Sequence, residues 1–168
     1  MRKNIFYFET LKKFDYISIT VYILISLILL GCCYQASAEA NKALIFAYGL
    51  GTCIFLYGFG YRSLRNLTVY FIWIGIALVH LLIYFQVKDD AGLAMENAHA
   101  AIGLRNTLPM LMLFQILRFI NIKIQNQELV APSWGSSTSV FDRRRVNFMD
   151  FISFAIYIAV FTILSFEI

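Results

Sequence analysis

The chain has 168 residues, 60% hydrophobic and 14% charged, with a mean hydropathy of +0.71 and a formal net charge of +4. A soluble domain of this size carries about 25% charged residues, so the composition excludes a water-facing globule and sets most of the surface against lipid. The positive balance bears on topology, because no basic stripe interleaved with aromatics marks a nucleic-acid groove; the bilayer, not nucleic acid, is the expected partner.

A helix needs about 20 apolar residues to cross the hydrocarbon core. Residues 17–36, ISITVYILISLILLGCCYQA, are the first such run. A rival reading starts from LLGC at 29–32, which resembles a lipoprotein cleavage site with Cys32 as the lipidated residue. Leu30 fits that pattern poorly, and the leader would hold Glu9 and Asp15. Cleavage would leave four spans with the same loop orientation. Cys32, Cys33 and Cys53 all lie in apolar runs without a CxxC pair, which reads as packing and not as a metal site.

Residues 43–61 form the second expected span. Gly49, Gly51, Gly58 and Gly60 recur there in YGLG and YGFG, where they would let helices approach closely. The linker RSLR then allows only a tight hairpin into the third span, residues 66–85. Along it Asn66, Tyr70, Trp73, Ala77, His80 and Tyr84 follow one another at steps of four and three, which keeps them on one helix face. That face should turn towards protein, with the Ile, Leu, Val and Phe faces towards lipid. His80 falls about 21 Å from the start of the span and about 8 Å from its other end.

The stretch ENAHAAIGLRNTLPMLMLFQILRF, residues 96–119, is ambiguous: greasy in its second half, but carrying Glu96, His99, Arg105 and Asn106, with Pro109 between the halves. Charge resolves it. Cytoplasmic loops carry an excess of Lys and Arg. With a span at 99–118 and the N-terminus inside, eleven of the fourteen basic residues lie inside: Arg2, Lys3, Lys12, Lys13, Arg62, Arg65, Arg118, Lys123, Arg143, Arg144 and Arg145. Without that span the Arg143–Arg145 cluster moves outside and the asymmetry largely collapses. Arg105 would then lie about 9 Å below the outer surface, at a depth similar to His80. Pro109 removes a backbone donor and crowds the carbonyl of Arg105, so the preferred reading is one kinked helix hinged at Pro109. A short helix starting near Pro109 is the alternative.

Residues 125–147, QNQELVAPSWGSSTSVFDRRRVN, form the one long polar loop, marked by Pro132, Gly135 and a Ser/Thr run. Arg143, Arg144 and Arg145 would anchor it to anionic lipid, or, with Trp134, dock a cytoplasmic partner. Residues 149–166 form the last span.

The expected fold is an all-α integral membrane protein, one domain of about five transmembrane helices, with the N-terminus cytoplasmic and the C-terminus outside, placed in a bacterial inner membrane. No GxSxG, HExxH or Walker loop occurs, and no carboxylates pair within a span, so no catalytic residue, metal or cofactor is expected. Three readings of function follow. The first is a structural or accessory subunit of a larger membrane complex. The second is an oligomeric channel or transporter for protons or a small anionic solute, with His80, His99, Glu96, Arg105 and Asn106 along its path; ionisable groups in a span default to such roles. The third is an enzyme on a lipid phosphate held by Arg105. Other membrane subunits, or further copies of itself, are the expected partners.

Overall fold

The computed structural model describes residues 7–35, 37–96, 98–132 and 144–166. Five helices account for most of them: α1 Lys13–Gln35, α2 Ala38–Gly58, α3 Leu67–Val87, α4 Ile102–Gln125 and α5 Phe148–Ser165. No strand occurs among the described residues; an isolated bridge pairs Ala94 with His99. All five helices are long and apolar enough to cross a membrane, which is the architecture of a multi-pass membrane protein.

Side chains set the helix starts. Ser37 accepts from the Ala40 amide to open α2, and Asn66 accepts from Thr68 to open α3. Asn147 and Asp150 form a reciprocal capping box on α5, satisfying two amides that a helix start leaves unpaired. Helix α4 runs unbroken through Pro109 and stops at Asn126, whose φ of 55° is left-handed, a conformation Asn tolerates better than most residues. It starts at Ile102, so His99 precedes the helix and lies in the connection from α3. A fourth span drawn from residue 99 therefore begins three residues early. His99 bridges Ala94 instead, and Leu93, Ala100 and Ala101 of the same connection are buried.

Helix α4 packs on α2, α3 and α5 and is the most buried of the five, while α1 is the least. The face of α3 that carries Trp73, Ala77, His80 and Tyr84 is buried, and Phe71, Leu78, Val79, Leu82 and Phe85 point outward. Helices α2 and α4 cross at Gly49 and Gly103. A Cβ on Gly49 would lie 2.8 Å from the Gly103 Cα, and one on Gly103 would lie 2.7 Å from the Gly49 carbonyl carbon. Around Gly51 and Gly58 an added Cβ meets nothing within 4 Å, and at Gly60 it meets the backbone of Leu56 one turn away. The close helix approach in α2 thus rests on Gly49.

Contacts group the ends of the helices. One end gathers residues 7–15, 59–67, 115–131 and 144–150: Leu67 donates to the Tyr7 carbonyl, Ser63 to Asp15, and Arg65 to the Leu129 carbonyl. The other gathers Tyr84, His99, Arg105 and Leu164. Consecutive helices therefore alternate in direction.

Candidate functional site

The polar residues singled out in the sequence separate into three places. His80 is 3% exposed and lies where α1, α2, α3 and α4 meet. Its Nε2 is 3.1 Å from the Tyr22 hydroxyl and 3.0 Å from that of Tyr48, and its Nδ1 is 3.2 Å from Thr107 Oγ1. Tyr22 also reaches Thr52 Oγ1 at 2.8 Å, and Tyr48 reaches Ser26 Oγ at 2.6 Å. One imidazole thus ties four helices through hydroxyl groups. The rings pack as well: Tyr22 stacks on Tyr48 and meets Trp73 edge-on at 4.8 Å.

Arg105 belongs elsewhere. Its Nη2 donates to the Leu164 carbonyl at 2.6 Å, and its guanidinium lies 5.7 Å above the Tyr84 ring. The neighbouring Asn106 is fully buried and donates from Nδ2 to Ser165 Oγ at 3.3 Å. The last carbonyls of a helix lack intrahelical donors, and basic side chains near them are favoured. Arg105 and Asn106 together close α5 against α4. His99 sits nearby, edge-on to Tyr84 at 6.5 Å, with Nδ1 accepting from the Ala101 amide. Its buried Nε2 has no partner among the described residues. Glu96 is exposed in the same connection. His80 and Arg105 are therefore not joined in one site: Thr107, two residues beyond Arg105, is what reaches His80.

The third place is the opposite end, and most of it was not legible in the sequence. Arg118, 1% exposed, makes a forked pair with Glu128 at 2.8 and 2.9 Å. Arg65 Nε lies 3.8 Å from the same carboxylate. The Arg118 guanidinium sits 5.6 Å over the Tyr7 ring. Burial first, and then the Glu128 carboxylate, raise the Tyr7 hydroxyl above its ordinary pKa. Arg144 grips both oxygens of Asp150 at 2.8 Å and donates to the Glu128 carbonyl. Of the basic cluster expected at lipid or a partner, Arg144 is thus engaged on α5 and Arg145 is exposed, while Arg143 and Trp134 lie outside the described residues.

The hydroxyls around His80 left a faint trace in the sequence. Ser26, Thr52 and Thr107 sit inside apolar helices, and each bonds back to the carbonyl four residues earlier, a habit of Ser and Thr within helices. Tyr22 and Tyr48 also lie deep in their spans, away from the interfaces that tyrosine favours. Among the described residues no three His, Cys, Asp or Glu side chains converge as metal ligands.

Fold and sites together define a multi-pass helical membrane protein whose buried polar groups tie its helices to one another. No family model matches the chain, and no curated protein or solved structure shows significant similarity to it.

Proposed function

We propose that this chain is a small, non-enzymatic integral membrane subunit that serves a larger membrane complex in a bacterial inner membrane. The N-terminus and the Arg65–Arg118 end face the cytoplasm, and the C-terminus lies outside. The observation that carries the reading is the use made of Arg105. Arg105, set within the far half of the bundle, is spent on the Leu164 carbonyl as a tie between two helices of the same chain, not held towards a ligand. His80 is likewise engaged on both ring nitrogens by neighbouring helices. A conduction path would need His80, His99, Glu96 and Arg105 in line, and the separation of His80 from the other three weighs against it. A phosphate site on Arg105 would have to displace its bond to α5. The orientation rests on the positive-inside rule.

The test is extraction in a mild detergent followed by native mass spectrometry. The expected result is co-purification with defined membrane subunits at fixed stoichiometry, undisturbed by Arg105→Ala. Recovery as a bare homo-oligomer that conducts protons or anions in liposomes, with Arg105→Ala abolishing the flux, would replace this reading with the transport one.

A further inference from the structure

Where α1 begins and α2 stops, residues 7–15 and 59–66 line a cavity of about 300 Å³. We propose that it holds the head group of a phosphatidylethanolamine, with Lys12 and Arg62 on the phosphate and Glu9 on the ammonium. The cavity lies at the level of lipid head groups. The apolar stretches of α1 and α2 are Lys13–Cys32 and Glu39–Gly58, and Glu9, Lys12, Arg62 and Asn66 of the lining stand just beyond them. Phe14 and Phe59 line the cavity and also end a groove of about 610 Å³ between α1 and α2. That groove follows α1 from Phe14 to Leu29, about 22 Å along the helix. A polar cavity therefore tops an apolar groove, in the order in which a phospholipid is built. The groove would take any acyl chain, so selection falls to the head.

Charge chooses among heads. The lining carries two basic residues, Lys12 and Arg62, and two acidic ones, Glu9 and Asp15, so its formal charges cancel. A head with a net negative charge gains little from such a lining, whereas a zwitterion can match it charge for charge. Asp15 is 3% exposed and already accepts from the Lys12 amide and the Ser63 hydroxyl. Lys12 and Glu9 stand 3.2 Å apart with side chains 69% and 49% exposed, so both ends of this pair can still be approached. A phosphate set on Lys12 brings the ammonium of the same head beside Glu9. A primary ammonium has three protons to donate to that carboxylate; a choline has none. The pair is also held ready. The Glu9 amide donates to Asn66 Oδ1 and the Glu9 carbonyl accepts from Asn66 Nδ2, each at 3.0 Å, and the Asp15 carboxylate fixes the Lys12 amide at 2.9 Å. A rim fixed before binding leaves less to be ordered by the ligand.

The full chain, purified in a mild detergent, is offered equal amounts of phosphatidylethanolamine, phosphatidylcholine and phosphatidylglycerol with identical acyl chains, and the lipids it retains are counted by native mass spectrometry. Identical chains hold the groove's contribution constant. Phosphatidylethanolamine should be retained about threefold over either rival, the worth of one exposed charge contact. Glu9→Gln should erase the preference over phosphatidylcholine, and Lys12→Gln should lower retention of all three lipids. Both side chains are exposed, so neither change threatens the fold. Lys42→Gln breaks the like-spaced pair with Glu39 at the opposite end of α2 and should leave the lipid count as it is. Equal retention of phosphatidylcholine, preferential retention of phosphatidylglycerol, or a Glu9→Gln variant that keeps the full preference overturns the proposal.

Discussion

Gly49→Ala should loosen the whole bundle. The added methyl would lie 2.8 Å from the Gly103 Cα, 3.0 Å from its carbonyl carbon and 3.1 Å from the Leu104 nitrogen. Non-bonded carbons rest at about 3.5–4.0 Å, so α2 and α4 would have to part by roughly 0.5–1 Å. The atoms in the way are backbone, and α4 is held on its other sides by α3 and α5. It cannot yield at one residue alone. Overpacking of this kind costs about 1–3 kcal/mol. In a chain of this length each kcal/mol moves the unfolding midpoint by about 2–4 °C, so the midpoint should fall by about 2–12 °C. Thermal unfolding of the purified chain in detergent micelles, followed by near-ultraviolet circular dichroism, measures it. Gly51→Ala is the internal control. It makes the same change half a turn away, where a Cβ meets nothing within 4 Å, and Ala is a better helix former than Gly by about 0.8–1 kcal/mol. That variant should melt at or above the parent. Equal midpoints for the two variants would refute the close crossing.

Three further outcomes are expected. Arg105→Ala leaves the Leu164 carbonyl without its donor, so the end of α5 should fray and the amides of residues 162–165 should exchange faster in hydrogen–deuterium mass spectrometry; unchanged exchange there would count against the capping role. Glu128→Gln strands Arg118 beside Arg65 and should cost about 2–4 kcal/mol, below the full value for breaking a buried pair because Glu128 is 24% exposed. The double variant Arg118→Met, Glu128→Leu should recover much of that loss, and a double variant that melts lower still would contradict the account. Thr107→Val removes the acceptor for the Nδ1 proton of His80, so nitrogen NMR of the imidazole should show the proton moving to Nε2, where two phenol oxygens can receive it. A tautomer indifferent to Thr107 would undo that assignment, which follows because Thr107 spends its own proton on the Gly103 carbonyl.

The five helices were legible because the signal for a span is coarse: about 20 apolar residues in a row need no knowledge of their neighbours. The stripe on α3 was legible for a similar reason, since steps of four and three are a property of one helix alone. The partners of His80 were not. Tyr22, Ser26, Tyr48, Thr52 and Thr107 come from three other helices, and no spacing within one segment relates them. Depth arithmetic set Arg105 level with His80, but depth says nothing of direction around the helix axis. Arg105 turns to α5, and Thr107, two residues on, turns to α3. Glu128 was hidden because it stood in a stretch that composition marks as a polar loop. There the chain folds back, and buried Leu129, Val130 and Ala131 carry Glu128 to two arginines. Gly103 had no motif around it to set beside the paired glycines of α2.

That fold-back segment also governs how His80 can be reached. Leu129, Val130 and Ala131 lie among the helix ends as a stopper, over the buried Tyr61, Leu64 and Phe114 and pinned by Arg65 through the Leu129 carbonyl. A solute travelling along the bundle axis from that side would have to uncork the chain's own backbone. A cavity beside His80 opens instead between helices, through walls of leucine, isoleucine and valine. The molecule is corked at that end and bordered sideways by an apolar wall, so His80 is set apart from water on both counts.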